Sequence, residues 1–502
     1  MKKLPKSFYS WPTAIGAVLA AVSLFIIVFL MLISALFPTQ VSQYLGLFTY
    51  IIMPAFLVVG LLLIPIGAWR KFRKDKKDPE HAVTKFPKVD LNDPSQRMVV
   101  FIFTLGTAIF ILFTALGSYS AFHITESNKF CGMLCHNVMA PEYTTHQNSP
   151  HARVNCVECH VGSGATWYVK SKLSGLRQVY AELTHSWPTP IATPVESLRP
   201  ARETCEECHW PQKFYNREII NKKYYLADQT TSEFDLTLLM KTGPDLQAKG
   251  LRSGIHWHVN PEVKIEYVSA NEKRDTIAEV IYTNLKTGKV TVYKDTANVY
   301  TEKQIDKFEH RTMDCIDCHN RPSHDFKSPS AFFNEAMNQG KIPRELPDVK
   351  TEAMTILYDN TFPTVDSADR FIKVKFLKYY KDNYPQVYDT AKTLIDQTIK
   401  VLQDGYKANI FPSMKASWLA HPNYIGHLET IGCFRCHNGS FESNTGRTIS
   451  RRCDLCHNIT AEGTPGHMEY ANGKESLEFK HPVDVGGAWK TQNCVDCHKN
   501  LY

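Results

Sequence analysis

Hydrophobic and polar residues are distributed very unevenly along this chain of 502 residues. Three long apolar runs, each free of Asp, Glu, Lys and Arg, lie near the N-terminus at Trp11–Phe37, Tyr44–Trp69 and Met98–Phe122. Each exceeds the roughly 20 residues that a membrane-spanning helix needs. We therefore expect three transmembrane helices. The first should be an uncleaved anchor, because it is longer than the apolar part of a signal peptide.

Basic residues beside these runs predict their orientation. Lys2, Lys3 and Lys6 precede the first run, and the loop Arg70–Arg97 between the second and third is rich in Lys and Arg, whereas Pro38–Gln43 carries no charge. Loops with excess Lys and Arg stay in the cytoplasm. We therefore expect a cytoplasmic N-terminus and, after three crossings, an external location for everything that follows.

Regular patterns are sparser after the third run. Val263–Val268, Thr276–Thr283 and Val290–Lys294 are rich in β-branched and aromatic residues, and Asn284–Lys289 between the last two reads as a hairpin connection. In Ser367–Tyr406 the apolar residues recur at helical spacing. The predicted fold class is thus N-terminal transmembrane helices followed by a mostly α and irregular domain with a small β-hairpin insertion.

All fourteen cysteines belong to one repeated motif. Six copies read Cys-x-x-Cys-His, and a seventh has three residues between its cysteines. Cys-x-x-Cys-His is the attachment site of c-type haem: the cysteines form thioethers and the histidine becomes an axial ligand of the iron. The seven motifs are Cys131–Cys135–His136, Cys156–Cys159–His160, Cys205–Cys208–His209, Cys315–Cys318–His319, Cys433–Cys436–His437, Cys453–Cys456–His457 and Cys494–Cys497–His498.

Two other interpretations of the cysteines fit less well. Zinc sites need four ligands but no histidine directly after the second cysteine, and that histidine is present in all seven motifs. A disulfide framework would not require it either, and a chain of this length can bury a core without disulfides. We therefore expect seven covalently attached c-type haems, and because this attachment is extracytoplasmic, it agrees with the predicted orientation.

The motifs divide the chain into four parts. We expect a membrane anchor of three helices with a basic cytoplasmic loop (1–122), a triple-haem cluster (123–214), a β-containing insertion with the fourth haem (215–325), and a helical segment followed by a C-terminal triple-haem cluster (326–502). Residues 98–502 carry equal numbers of acidic and basic side chains. Haem propionates would make this part acidic, which suits docking of a basic soluble electron carrier.

Twelve histidines outside the motifs follow the third run and are candidates for the second axial position. His151 and His310 each lie five residues before a motif cysteine, and His427 lies six before Cys433. Next come His481, His185, His467 and one of His256 and His258, of which we take His258. Ligation by two histidines gives low-spin haems that transfer electrons. Near the first motif, the thioether of Met139 is an alternative ligand.

These motifs resemble the NapC/NirT/NrfH family of membrane-anchored quinol dehydrogenases. The resemblance rests on Phe130–His136, Met139, Ser149–His151 and Cys156–His160, and covers roughly residues 98–210. Three spans and seven motifs make the chain similar to the larger, seven-haem branch of the inner membrane in metal-reducing bacteria, the ImcH-like proteins. The segments Cys315–His324, Asn409–Met414 and Gly432–Gly439 look like that branch too.

The resemblance implies roles for particular residues. Met139 would bind the first haem, His151 would serve another haem, and Lys172 would lie at the quinol pocket. The pattern also differs from the family: the first motif is one residue longer, and Gln178 replaces an expected acidic residue, with Glu182 nearby. Lys172 and Glu182 are therefore the candidates for polarising the quinol oxygens or taking protons.

The expected function is a quinol (menaquinol) dehydrogenase of the bacterial inner membrane, with its haem domain in the periplasm. It would pass electrons to periplasmic c-type cytochromes in anaerobic or extracellular metal respiration. One alternative is a terminal reductase of a small oxyanion such as nitrite, which would need an open haem. Another is an anchor subunit in a complex with a periplasmic reductase, or a homo-oligomer. Nothing in the sequence suggests a nucleic-acid partner, because the basic loop is better explained by membrane topology.

Overall fold

The computed structural model describes residues 10–36, 48–76, 90–133, 136–162, 164–193, 199–210, 217–243, 253–473 and 475–499. It divides into two compact units, unit 1 (residues 1–136) and unit 2 (residues 137–502). Several features considered above lie outside the described residues: the N-terminal lysines, the uncharged loop Pro38–Gln43, Cys135 and the side chain of His136.

Unit 1 is built on three long apolar helices, α1 (Trp11–Leu36), α2 (Met53–Lys76) and α3 (Pro94–Thr125). All three are long and apolar enough to cross a membrane. A π-helical turn, Phe48–Ile52, precedes α2, and a short helix α4 (Asn128–Met133) follows α3. The last long helix starts earlier than the apolar run predicted, because Asp93 caps it by accepting a hydrogen bond from the Ser95 N–H at 2.9 Å.

Small residues allow α1 and α2 to pack closely. A Cβ atom added to Gly16 would lie only 2.6 Å from the Gly60 carbonyl oxygen, and one added to Gly67 would lie 2.6 Å from Thr13 Oγ1. Close helix contact through Gly and other small residues is typical of membrane helices, because dispersion rather than water exclusion drives their association. The two helices therefore form a packed pair.

Unit 2 contains helices of two kinds. Several of the short ones carry haem-motif residues, whereas the five helices within residues 329–409 pack on one another. In chain order they are α5 (His136–Gln147), α6 (Cys156–His160), α7 (Ala165–Thr184), α8 (Ala201–Cys205), α9 (Glu302–Ile305), α10 (Cys315–Cys318), α11 (Pro329–Asn338), α12 (Val349–Tyr358), α13 (Val365–Asn383), α14 (Pro385–Thr390), α15 (Lys392–Asn409) and α16 (Cys494–His498).

Nine strands form two antiparallel sheets in the described part of unit 2. The first has the order β1-β2-β8-β9 and the second β6-β3-β4-β5-β7. This is more β structure than the small hairpin insertion that the sequence predicts. The strands are β1 (Glu218–Tyr225), β2 (Glu233–Met240), β3 (Val263–Ser269), β4 (Ile277–Asn284), β5 (Val290–Asp295), β6 (Glu309–Thr312), β7 (Phe441–Ser443), β8 (His457–Thr464) and β9 (His467–Tyr470).

The sheets are larger than expected because they recruit distant segments. β7 follows the motif at Cys433 and pairs with β5, and β8 begins at His457 and pairs with β2. These strands are only a few residues long or contain polar residues, so their alternation is weak in the sequence. As a result, the segment before the fourth motif lies beside the fifth and sixth motifs.

The main apolar core lies among helices α11 to α15. Phe333, Phe376, Tyr380 and Leu402 are fully buried there. The region expected to be helical, Ser367–Tyr406, contains α13, α14 and α15, and α13 starts at a capping box in which the Thr364 hydroxyl accepts from the Ser367 N–H. This region thus has a core made of its own side chains.

Candidate haem-binding sites

The motifs that the structure describes in full each contain one tight helical turn, although at the sixth motif the turn ends before His457, which begins β8. The backbone N–H of His319 donates to the Cys315 carbonyl at 2.8 Å, and His209 and His437 make the equivalent bond to the first cysteine of their motifs. Residues three and four apart in such a turn lie on one face. Both thiols and the imidazole can therefore face one flat group, and none of the thirteen cysteines that the structure describes is disulfide-bonded.

Polar residues before the motifs start these turns. Asp314 accepts from the Cys315 N–H at 2.7 Å, and Asp317 accepts from the Asp314 N–H at 2.6 Å, which completes a capping box. Asn493 and Asp496 form the same box at the last motif. The residues between the motif cysteines thus help to hold the turn in shape.

The main feature of the site region is a set of paired histidines. Six of the seven motif histidines each face a second histidine from elsewhere in the chain. The pairs and their ring-centroid separations are His160–His324 (6.3 Å), His209–His151 (6.1 Å), His319–His256 (6.3 Å), His437–His258 (5.8 Å), His457–His427 (6.3 Å) and His498–His481 (6.0 Å).

These separations fit two imidazoles on opposite sides of one metal. An imidazole nitrogen lies about 2 Å from a metal it binds and about 1 Å from its own ring centroid, so two such rings have centroids about 6 Å apart. Among the described residues, no group of three or more His, Cys, Asp and Glu is placed to hold a metal ion. Two axial histidines therefore need equatorial ligands from another source, which a porphyrin provides.

Hydrogen bonds hold most of the second histidines in one tautomer. In His256 and His258, Nδ1 faces the carbonyl oxygens of Thr242 (3.0 Å) and Ile255 (2.7 Å). The Nδ1 atoms of His151 and His324 also face backbone carbonyls. A carbonyl can only accept, so Nδ1 must carry the proton and Nε2 keeps its lone pair for a metal.

Burial keeps several of these imidazoles neutral. Desolvation lowers the pKa of His324 and of His457 to about 4, and it also lowers the pKa of His258 and His427. A neutral imidazole is the form that binds a metal. The buried Nδ1 atoms of His427 and His457 have no hydrogen-bond partner in the described structure, and the same two rings face each other at 6.3 Å.

Three of the predicted second ligands are not beside a motif histidine in the described structure. His310 is exposed, and its Nε2 donates to the Ile305 carbonyl at 3.1 Å, so the atom that a metal would need carries a proton. His185 is exposed at the left-handed C-cap of α7 and lies against Trp187. His467 is exposed at the start of β9.

Two paired histidines were not chosen from the sequence. His324 faces His160, although it lies five residues after the fourth motif rather than before one. His256 and His258 are both paired, where only one was expected. They lie on the 3₁₀ turn Ile255–Val259, in which positions two apart point about 120° from each other. Proximity to a motif on either side of it could have identified His324, whereas His256 is far from every motif in the sequence.

One arginine joins the fourth and fifth motifs. Arg435, between the cysteines of the fifth motif, donates to the carbonyls of Asp317 (2.6 Å), Arg274 (2.8 Å) and Gly432 (3.0 Å). Its guanidinium lies 4.3 Å from the ring centroid of Tyr424. The planar fork of an arginine suits several such bonds at once, so this residue fixes the two motifs relative to each other.

Comparison with known proteins decides the family. The profile of the NapC/NirT cytochrome c family, N-terminal region, matches residues 93–194. The cytochrome c-type protein ImcH of Geobacter sulfurreducens is 44% identical over 455 residues, 91% of this chain and 88% of that protein. The chain belongs to the NapC/NirT cytochrome c family, in its ImcH-like branch. The resemblance seen in the sequence is confirmed.

A second relative is more distant. The cytochrome c-type protein NrfH of Wolinella succinogenes is 30% identical over 115 residues, which is 22% of this chain and 62% of that protein. No solved structure matches the chain. As a NapC/NirT cytochrome c, this chain binds haem covalently, and its apolar N-terminal helices place it in a membrane.

The region matched by the NapC/NirT profile also contains the residues suggested for quinol. Lys172 and Glu182 are both half-buried on α7, and the Lys172 ammonium lies 4.9 Å from the Tyr168 ring centroid. Ten residues of helix separate the two by about 15 Å along its axis, so the helix does not bring them together. Met139 is half-buried on α5.

Proposed function

We propose that this cytochrome is a menaquinol dehydrogenase of the bacterial inner membrane that passes electrons through seven c-type haems to periplasmic carriers. The observation that carries the proposal is the set of six histidine pairs. Once attached, the haems supply one-electron transfer. Two histidines would hold each of these six haem irons, which would leave no open position for a substrate oxygen there and favours electron transfer over the reductase alternative.

The proposed ligands follow from the pairs. His160, His209, His319, His437, His457 and His498 would each bind one iron from the motif side. Their partners would be His324, His151, His256, His258, His427 and His481. For the first haem, His136 and Met139 remain the proposed ligands.

Contacts between motifs support a continuous path in chain order. The second and third motifs are close, because the Cys159 thiol, whose pKa is raised mainly by burial, also responds to Cys205 and Cys208. The third and fourth are close, since the Cys205 and Cys315 thiols shift each other's pKa, downward for Cys205 and upward for Cys315. The helices that carry these motifs, α6, α8 and α10, touch in the same order.

The path continues to the C-terminus. Burial raises the pKa of the Cys318 thiol to about 11, and Cys433 of the fifth motif contributes in the same direction. Cys456 of the sixth motif responds likewise to Cys433, and Cys494 of the last motif to Cys453. We infer that electrons enter near the first motif and leave from the last cluster.

The chain's own contribution to quinol oxidation would come from α7. We assign Lys172 to donating a hydrogen bond to a quinol oxygen, and Glu182 to accepting a proton at its carboxylate. Because about 15 Å of helix separates them, Glu182 would take the proton after it leaves the head group rather than contact the same oxygen.

The test uses the full-length protein in proteoliposomes with a water-insoluble menaquinol analogue, and follows haem reduction by absorbance. Lys172→Ala should slow reduction by quinol while leaving reduction by dithionite and haem content unchanged. The control is Lys378→Ala, which removes a lysine charge from α13, where Lys378 forms an ion pair with Asp382 one turn along the helix. Failure of the unaltered protein to be reduced by quinol would refute the function, whereas an unaffected Lys172→Ala would refute only the site.

A further inference from the structure

Helix α7 exposes its apolar face, whereas an ordinary surface helix buries it. Five of its large apolar side chains point away from unit 2, and each of the five is more than half exposed, up to 77% for Leu183. They are Val169, Leu173, Leu176, Tyr180 and Leu183. A surface helix of a soluble protein normally turns its apolar stripe inward.

The exposed apolar side chains form one continuous stripe. At 100° per residue, they fall within about 80° of arc, and they extend over about 21 Å of the helix axis. Apart from Lys172, the half-buried residues lie on the opposite side and are mostly small or polar, including Ser171, Ser174, Ala181 and Glu182. Packing inside unit 2 therefore leaves this apolar face uncovered.

Cationic side chains border the stripe on both sides. By the same helical geometry, Lys172 lies on one side of it, and Lys170 and Arg177 lie on the other. With Glu182, these residues give α7 a net charge of +2. An apolar stripe with flanking Lys and Arg is the pattern of a helix that lies in a membrane interface: the stripe enters the acyl region while long cationic side chains reach the headgroups.

We propose that α7 lies in the plane of the membrane surface, with the Val169, Leu173, Leu176, Tyr180 and Leu183 face in the lipid. We take the bilayer as the occupant of this face because the same chain contains three helices able to span a membrane. These helices tether unit 2 to that membrane. The positive charge of α7 complements anionic lipid headgroups. The proposal does not depend on quinol oxidation.

In this arrangement α7 would do more than anchor unit 2. A quinol is confined to the bilayer, and Lys172 borders the lipid-facing stripe at headgroup depth. The proposed quinol residue would then be reachable from the lipid without the substrate crossing water. This consequence rests on the proposed function, whereas the placement of α7 does not.

Photo-crosslinking tests the placement directly. The probe p-benzoylphenylalanine replaces Leu176 in the full-length protein, which is reconstituted in vesicles of phosphatidylethanolamine and phosphatidylglycerol and irradiated. Controls carry the probe at Ser174, on the opposite side of the same helix, and at Val374, a 62% exposed apolar residue of α13. Adducts are identified by mass spectrometry, and the haem absorbance of each variant reports correct maturation.

We expect phospholipid adducts from the probe at position 176 and none from the probe at position 174 or 374. If the variant at 176 fails to mature, position 173 on the same stripe provides the same test. Equal lipid labelling from position 374 would overturn the proposal, because it would show unspecific contact. Adducts from the stripe to a haem, to a second copy of the chain or to another protein, without lipid adducts, would overturn it too.

Discussion

The helical region α11–α15 and the motif-bearing segments of unit 2 are held together in different ways. In the helical region, Phe333, Phe376, Tyr380 and Leu402 are fully buried against one another. The well-described motifs sit on turns of three to five residues or at the end of α8, and their contacts are histidine pairs, thiols and single residues such as Arg435. One region carries its own core, while the other is organised around paired histidines and motif cysteines.

The strongest test of this contrast is to withhold haem. When the protein is produced without haem attachment, the motif segments should lose their structure, because their paired imidazoles have no common metal and their thiols no porphyrin to hold. Residues 329–409 should remain folded, because burial of their apolar side chains needs no cofactor. Limited proteolysis with mass spectrometry would show a protected fragment spanning 329–409, and uniform digestion of both regions would break the comparison.

Truncating a core side chain should destabilise the helical region and leave the haem-binding segments unchanged. Phe376→Ala is expected to destabilise the helical region by about 3–5 kcal/mol, because it removes a fully buried aromatic ring and leaves a cavity. Native-state hydrogen exchange of the α13 amides measures this loss, while the haem spectrum should stay unchanged. Val374→Ala, on the exposed side of α13, is the control and should change stability by less than about 0.5 kcal/mol.

A third comparison separates paired from unpaired histidines. His256→Ala should convert one haem from low spin to high spin, because its ring is the partner of His319. His310→Ala should leave all haems low-spin, because its Nε2 is occupied by the Ile305 carbonyl. Electron paramagnetic resonance of the oxidised protein distinguishes the two. A high-spin haem in the His310 variant would contradict this and show that His310 is a haem ligand, as the sequence predicts.

The smallest expected effect concerns pH. Burial raises the pKa of Glu352, on α12, to about 7, although Lys375 opposes this shift. The folded state therefore binds this proton more tightly than the unfolded state, so the stabilisation is present at acidic pH and is lost as pH rises through about 7. Glu352→Gln should flatten the pH dependence of hydrogen exchange in α12, and an unchanged slope between pH 5 and 8 would contradict this account.

How much the sequence could predict follows the same division. The long apolar runs and the helical spacing in Ser367–Tyr406 are strong local signals, and the structure has helices at these places. The motif spacing identifies the motif histidine of each pair. The partner side depends on contacts between distant segments, such as His160 with His324, that no local pattern encodes.

The β structure shows the same limit. β4 and β5 are close in sequence and alternate clearly, whereas β7 and β8 acquire their strand character by pairing with β5 and β2 from far along the chain. Helix α7 teaches a further lesson. Its periodicity is visible in the sequence, but only the structure shows that the apolar face points outward.

We propose that pairs of histidines hold the haems of the six regular motifs. Near-infrared magnetic circular dichroism of the oxidised full-length protein, combined with a haem count, tests it most directly because the charge-transfer band reports the axial ligands. We expect seven haems per chain, six of them low-spin and bound by two imidazoles. Two or more high-spin or methionine-ligated haems would contradict it.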